Sequence, residues 1–166
     1  VLLEIDELAL ITIHGDLRRA FPDLEIEAVL GDCGDPAVTA HALRLGQPDA
    51  VFHAAAYKQV PLLEAQLREA VRNNVLATDT VARLCRESGV DTFVFISTDK
   101  AVDPANVLGA TKRFAEVIAQ SLGAAWKRDP EEGERRVGRL LELSQTALAE
   151  MRALLSELRP ASDSGS

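Results

Sequence analysis

The sequence has 166 residues, with 18 Lys and Arg against 26 Asp and Glu, a formal charge of −8 and a pI near 4.9, a length that suits one domain with an appendage. At 47% apolar and 27% charged residues it has ample material for a core, so disorder throughout is excluded, and an acidic chain without a Lys/Arg block makes nucleic acid and anionic lipid poor partners. No stretch approaches the roughly 18 to 20 apolar residues that span a bilayer, residues 1–6 lack the basic start of a secretion signal, and Cys33 and Cys85 form neither a C-x-x-C pair nor a metal-type cluster; a cytoplasmic protein without bound metal or disulfide is expected.

Up to about Gln120, short β-branched apolar runs alternate with longer amphipathic segments, the pattern of βαβ units around a parallel sheet. Residues 1–3 read as a strand and residues 7–19 as a helix that Phe21-Pro22-Asp23 breaks, because Pro cannot continue a helix and restricts the residue before it. Residues 26–30 read as a second strand. Asp35 as N-cap and Pro36 at the first helical position open a helix through Leu45 that Gly46 is expected to end. Residues 49–56 form a third strand running into a small-residue turn. A helix over residues 69–88 ends at Gly89, and residues 92–97 make a fourth strand, apolar on both faces as in the middle of a parallel sheet. A capped helix start follows Asp103-Pro104.

The expected fold is therefore α/β, a truncated Rossmann-like parallel sheet with a C-terminal long helix or helical hairpin. Dinucleotide domains normally open with a strand and G-x-G-x-x-G, whose glycines let backbone approach a pyrophosphate. None of the ten glycines makes that pattern, so residues 1–3 are expected to be the second strand, the first βα unit lying upstream. Residues 1–120 are expected to form the partial NAD-binding domain, residues 121–160 an amphipathic helical segment and residues 161–166 a disordered tail. In the helical segment Asp129-Pro130 is the start signal, and from Val137 a heptad seam steps through Leu141, Ser144, Leu148, Met151, Leu155 and Leu158 before Arg159-Pro160 stops it.

Four blocks carry a resemblance: Gly31-Asp32-Cys33-Gly34-Asp35; His53-Ala-Ala-Ala-Tyr-Lys-Gln-Val-Pro-Leu-Leu-Glu64; Asn73-Asn74-Val75-Leu76-Ala77-Thr78; and Ile96-Ser-Thr-Asp-Lys-Ala-Val-Asp-Pro-Ala-Asn-Val-Leu-Gly-Ala-Thr-Lys112. In this order and spacing they resemble the CapD-like nucleotide-sugar 4,6-dehydratases, the polysaccharide-biosynthesis branch of the extended short-chain dehydrogenases. The resemblance covers residues 1–120 and implies an NAD cofactor and a nucleotide-sugar substrate of the UDP-N-acetylglucosamine type. Glu4 would accept hydrogen bonds from the adenosine ribose hydroxyls and repel a 2′-phosphate, making NADP the lesser choice; a solvent-facing acid is the plain alternative. Asp32, with Cys33 beside it, stands where the family meets the adenine amino group, and could equally cap a turn. Ala54, Ala55 and Ala56 would let a cofactor lie against the strand end. Small residues there are also common packing, and the following Tyr57-Lys58 tips the reading toward cofactor contact. Asn74 resembles the family's site-ordering helix Asn, against the alternative of polar surface.

The last block would carry catalysis: a sugar C4 hydroxyl loses its proton as hydride passes to the nicotinamide, water leaves across C5 and C6, and hydride returns to C6. Thr98 stands where the superfamily hydrogen-bonds the reacting hydroxyl, and Asp99 and Lys100 where this branch places the acid and base of elimination. A Lys acts as base near neutral pH only when burial or a neighbouring cation lowers its pKa. The superfamily's Tyr-x-x-x-Lys is here Leu108-Gly-Ala-Thr-Lys112, spaced to share one helix face. Lys112 would bind the nicotinamide ribose, whereas Leu108 has no proton to give, so this chain is expected to be weakly active or inactive.

Residues 119–160 are similar to the dimerisation helices of sensor histidine kinases, through Ala119-Gln-Ser-Leu, the Asp-Pro-Glu turn and the closing Glu-Leu-Arg-Pro160. The acceptor-His position there is Ala115, and His14, His41 and His53 all lie upstream, so kinase activity is excluded. The alternative function is then a non-catalytic fusion or truncated protein that forms homo-oligomers through this helix; an amphipathic helix packed on its own domain is the plainer reading.

Overall fold

The computed structural model describes residues 1–126, with side chains through residue 120. Residues Val1–Leu122 form one compact unit. The heptad seam, the Asp129-Pro130 start and the expected tail lie outside the described residues, as does the proposed helix-mediated association.

Strand β1 (Leu2–Glu4) leads to helix α1 (Glu7–Ala20), β2 (Ala28–Leu30) to α2 (Pro36–Gly46), and β3 (Ala50–His53) to the short helices α3 (Val60–Ala65) and α4 (Leu67–Val71). Next come a π-helical turn, Arg72–Leu76, helix α5 (Ala77–Glu87), β4 (Thr92–Phe95), a 3₁₀ turn at Asp99–Ala101 and α6 (Val107–Trp126). β1 pairs with β2 in parallel, Leu3 opposite Val29, and β3 with β4, Val51 opposite Phe93. The expected α/β order is present. β1 is shifted by one residue from its expected place, β2 is shorter than expected, and β3 and β4 are shorter because residues 54–56 and 96–98 leave the ladder to form the loops of the site.

Local chemistry accounts for the helix ends. Asp6 Oδ1 accepts from Ala9 N–H at 2.7 Å to open α1, and Asp35 Oδ1 accepts from Ala37 N–H at 2.8 Å to open α2. Gly89 after α5 has φ 75°, the left-handed turn that glycine supplies freely. At α2 the expectation is corrected: Gly46 remains helical and Gln47 takes the left-handed conformation at φ 41°. A Cβ on Gly46 would lie 2.6 Å from Val1 Cγ2, so glycine is there for close packing against β1.

The single helix expected over residues 69–88 is also corrected. It is α4, the π turn and α5, preceded by α3, which the sequence reading left in a loop. A π turn adds one residue to the helical repeat and rotates the side chains that follow; here it presents Asn73 and Asn74 together to the loop after β3.

One core cluster sits under α5, where Leu43, Val81 and Cys85 pack with Val51, Phe93 and Cys33. Another joins α3, α4 and α6 through Leu63, Ala70, Val107 and Leu108. Full burial of one such aliphatic side chain stabilises by about 1.5 to 3 kcal/mol. On the other face of β3, Phe52 is 71% exposed, whereas Phe93, Val94 and Phe95 of β4, the strand expected to be covered on both faces, are half-buried.

Candidate functional site

The loops that follow the four described strands hold the sequence-predicted residues. Glu4 ends β1, and its Oε1 accepts from Ile5 N–H at 2.9 Å and Asp6 N–H at 3.0 Å, so the carboxylate is held at the strand end by the backbone of the next turn. After β2, Asp32 Oδ1 accepts from Gly34 N–H at 2.7 Å, the local turn that an Asp two residues before a Gly forms readily. Gly34 packs on α5, where an added Cβ would stand 3.2 Å from Ala77 Cβ. Cys33 faces the other way, into the Leu43–Val81–Cys85 cluster, and burial followed by the Asp32 charge pushes its thiol up to about 11.

Asp32, Gly34, Tyr57, Arg72, Asn73 and Leu76 are among the residues lining a cleft of about 550 Å³, within the size range of small-molecule sites. A shallower depression of about 470 Å³ lies on α1 beside Asp6, Leu8 and Ile13.

The loop after β3 is fastened by Asn74, which is 1% exposed. Its Oδ1 accepts from Tyr57 N–H at 2.8 Å, while its Nδ2 donates to the Tyr57 carbonyl at 3.1 Å and to Thr111 Oγ1 on α6 at 3.1 Å. Asn73 Oδ1 accepts from the same Tyr57 N–H at 3.0 Å. Thr78 Oγ1 donates to the Asn74 carbonyl at 2.9 Å and lies 2.9 Å from His53 Nε2. A hydroxyl has one proton to give, so His53 Nε2 carries the hydrogen and donates to Thr78. Burial and the Lys112 charge lower the His53 pKa to about 4, so the imidazole is neutral at pH 7. Ala54 and Ala55 are exposed, Ala56 is half-buried, and Tyr57 and Lys58 are exposed.

After β4, Thr98 Oγ1 donates to Asp99 Oδ1 at 2.9 Å, and Lys100 Nζ lies 3.8 Å from the same oxygen. The Thr98 hydroxyl and then Lys100 hold the Asp99 carboxyl below its usual range. Asp99 and Lys100 are both exposed, so the burial that would make Lys100 a ready base is not supplied by the described residues.

Helix α6 begins with two caps: Asn106 Oδ1 accepts from Gly109 N–H at 2.9 Å, and Glu64 Oε1 from Val107 N–H at 2.8 Å. The expected start near Asp103-Pro104 thus falls at Asn106. Lys112 is 6% exposed, donates Nζ to the Ile96 carbonyl at 2.8 Å and lies 4.6 Å from the centre of the Phe95 ring. Burial lowers its pKa and the Glu116 charge opposes that shift. Leu108, one turn earlier, is 6% exposed and packs on Leu63 and Ala70, so the position of the hydroxyl in Tyr-x-x-x-Lys is taken by core packing.

The fold brings Asp32 and Tyr57 to one cleft, joins Tyr57 to Asn74, and carries Asn74 through Thr111 to the residue beside Lys112. Thr98, Asp99 and Lys100 form a separate cluster. Sequence reading missed Thr78, Thr111, Ser97, Glu64 and Glu116. The doubled Asn73-Asn74 was the available signal for the first of these contacts; the others join residues 16 to 43 positions apart and have no local signature. Among the described residues there is no group of three His, Cys, Asp or Glu suited to a metal, and no helix long and apolar enough to cross a membrane.

A family model described as polysaccharide biosynthesis protein matches residues 1–138. The capsular polysaccharide biosynthesis protein CapD of Staphylococcus aureus is 44% identical over 123 residues, covering 74% of this chain and 20% of CapD. The UDP-N-acetylglucosamine 4,6-dehydratase (inverting) of Campylobacter jejuni is 31% identical over 129 residues, covering 77% of this chain and 38% of that one. Among solved structures, Pen from Bacillus thuringiensis has a TM-score of 0.64 at 27% identity, covering 76% of this chain and 37% of Pen. UDP-glucose 4-epimerase from Brucella ovis, solved in complex with NAD, has a TM-score of 0.57 at 26% identity, covering 60% of this chain and 35% of that one. The likeness establishes a Rossmann-like α/β fold, and the chain spans about a fifth of the length of CapD.

Proposed function

This chain belongs to the polysaccharide biosynthesis protein family, and we propose that it is part of an NAD-dependent nucleotide-sugar 4,6-dehydratase of the UDP-N-acetylglucosamine type, weakly active or inactive by itself. The observation that carries the reading is the placement of Glu4 at the carboxyl end of β1, and of Asp32, Tyr57 and Thr98 in the segments that follow β2, β3 and β4, strands paired in parallel as β1 with β2 and β3 with β4, the end at which open α/β sheets take their ligands.

The residues present fit the adenosine end of NAD. Asp32 borders an open cleft of about 550 Å³ whose other wall includes Tyr57 and Leu76, and Glu4 sets a carboxylate at the end of β1 that accepts ribose hydroxyls and disfavours the 2′-phosphate of NADP. Ala54 and Ala55, exposed after β3, would let the cofactor lie close to the strand end. Lys112, held at the end of β4 by the Ile96 carbonyl, would hold the nicotinamide ribose. Bound NAD supplies the hydride acceptor for oxidation at the sugar C4.

Around that acceptor, Thr98 would hydrogen-bond the reacting hydroxyl, and Asp99 and Lys100 would serve the elimination as acid and base. Leu108 offers no proton relay between Thr98 and Lys112, which supports weak oxidation at most.

Thermal melting of the whole chain with and without millimolar NAD tests the reading. A ligand that binds the folded form alone at 100 times its Kd adds about 2.7 kcal/mol. The expected result is a cooperative transition that NAD moves upward, less so in Asp32→Ala; a transition indifferent to NAD overturns the reading. Conversion of UDP-N-acetylglucosamine to a 4-keto-6-deoxy product is expected at trace level or none, and any that appears is expected to vanish in Lys100→Ala.

A further inference from the structure

Three contacts tie the segment after β4 to one face of α6. Lys112 Nζ donates to the Ile96 carbonyl at 2.8 Å. Ser97 Oγ donates to Glu116 Oε1 at 2.6 Å. The Lys100 carbonyl rests on Gly109, where an added Cβ would be only 2.3 Å from its oxygen. Residues 109, 112 and 116 follow the three-then-four spacing of a single helical face, so a short stretch of helix meets Ile96, Ser97 and Lys100 in turn.

We propose that Glu116 is a positioning residue: through Ser97 it clasps the end of β4 to α6 and so fixes where Thr98 stands relative to Lys112. This rests on the reading of Thr98 and Lys112 as site residues given above. Both oxygens of Glu116 are engaged, Oε1 by Ser97 and Oε2 by Arg113 Nη1 at 2.9 Å, so the carboxylate is held from two sides and cannot swing away from Ser97 without losing Arg113. A hydroxyl-to-carboxylate bond of this length is charge-assisted and stronger than a neutral one. The Ser97 and Arg113 contacts hold the Glu116 carboxyl below its usual range, so the charge is present at neutral pH. That charge also stands one turn from Lys112 and favours its ammonium form. Glu116 therefore serves both partners: it anchors the backbone next to Thr98 and supports the cation that would meet the ribose.

Two readouts on the whole chain test the clasp: NAD affinity by calorimetry, and amide hydrogen exchange of residues 98–101 compared with that of α1. Ser97→Ala and Glu116→Ala each release the segment that carries Thr98 from α6, and each is expected to weaken NAD about tenfold. The double variant is expected to be no worse than Glu116→Ala alone, because without Glu116 the Ser97 hydroxyl has no clasp left to lose. Exchange of residues 98–101 is expected to rise about tenfold in each while α1 stays unchanged, and Glu116→Gln, which keeps an oxygen for Ser97 but not the charge beside Lys112, is expected to restore most of the exchange protection and only part of the NAD affinity. Additive losses in the double variant, or exchange that rises equally in α1, would overturn the clasp and leave a general loss of stability. Should the unmutated chain bind no NAD, the proposed function fails, and the local exchange of residues 98–101 alone decides on the clasp.

Discussion

At the ends of β1 and β2, the carboxylates of Glu4, Asp32 and Asp35 bond backbone N–H groups one or two residues away. At the ends of β3 and β4, the polar side chains reach across the fold: Lys112 to Ile96 over 16 residues, Asn74 to Tyr57 over 17, Ser97 to Glu116 over 19, His53 to Thr78 over 25 and Asn74 to Thr111 over 37. Burial follows the same division. Leu10 is the buried residue of α1, whereas α5 buries Ala77, Thr78, Val81, Ala82 and Cys85. The first half of the site is made of self-contained turns; the second is a network whose members hold one another. A substitution in the first half is therefore expected to act on ligand contact alone, and one in the second on contact and fold together.

The hardest test of that contrast is Asn74→Ala. It takes the side-chain partner from the Tyr57 carbonyl, leaves the Tyr57 N–H to Asn73 alone and empties the buried site beside Thr111, where a polar group left unpaired has a desolvation cost of about 1 to 3 kcal/mol. Urea denaturation should show a loss of about 3 kcal/mol or more, against less than about 1 kcal/mol for Asp32→Ala in the other half. Equal losses would end the distinction.

His53 extends the contrast to pH. Its imidazole titrates near 6.5 when unfolded and at about 4 in the fold, so the unfolded chain binds the proton first. Its contribution is complete above pH 6.5 and is lost as the pH falls toward 4, by about 3 kcal/mol across that window. His53→Gln should flatten this part of the stability profile, measured by denaturation at a series of pH values; an unchanged slope would show that the imidazole is not buried neutral.

Gly109→Ala is expected to cost about 2 kcal/mol, within the range for overpacking, although alanine is the better helix former. The Lys100 carbonyl must move, so a stability equal to or above that of the parent would contradict the close packing of α6 on the segment after β4.

The smallest effect sharpens the picture. Asp79 Oδ1 is buried without a hydrogen-bond partner and burial raises its pKa. The folded form thus prefers the protonated carboxyl, and the group's contribution becomes less favourable as the pH rises through its unfolded range. Asp79→Asn is expected to stabilise the chain at pH 7 by less than about 1 kcal/mol, read as a rise in Tm.

The alternation of strands and helices, the cap at Asp35 and the turn at Gly89 were legible along the chain, because each depends on a residue and its near neighbours. So was the family, because Ala54-Ala-Ala-Tyr-Lys58 and Ser97-Thr-Asp-Lys-Ala101 are continuous. The π turn was not legible: residues 69–88 read as one amphipathic helix, and only the need to satisfy Tyr57 with Asn73 and Asn74 explains the extra residue. Gly46 looked like a helix stop and is a packing glycine. Cys33 followed Asp32 into the site by adjacency, yet in a turn neighbouring side chains point apart, and its thiol went to the core.

Sequence alone thus determined an α/β chain of the polysaccharide biosynthesis family, with Glu4, Asp32, Tyr57, Thr98 and Lys112 as the residues of interest, since strand and cap chemistry is local and motifs are continuous. Tertiary structure decided which of them meet. Only packing of α5 and α6 on the β3–β4 pair brings Asn74 to Thr111 and Ser97 to Glu116. Those bonds hold because burial makes an unpaired amide or carboxylate costly, a condition that no single stretch of sequence contains.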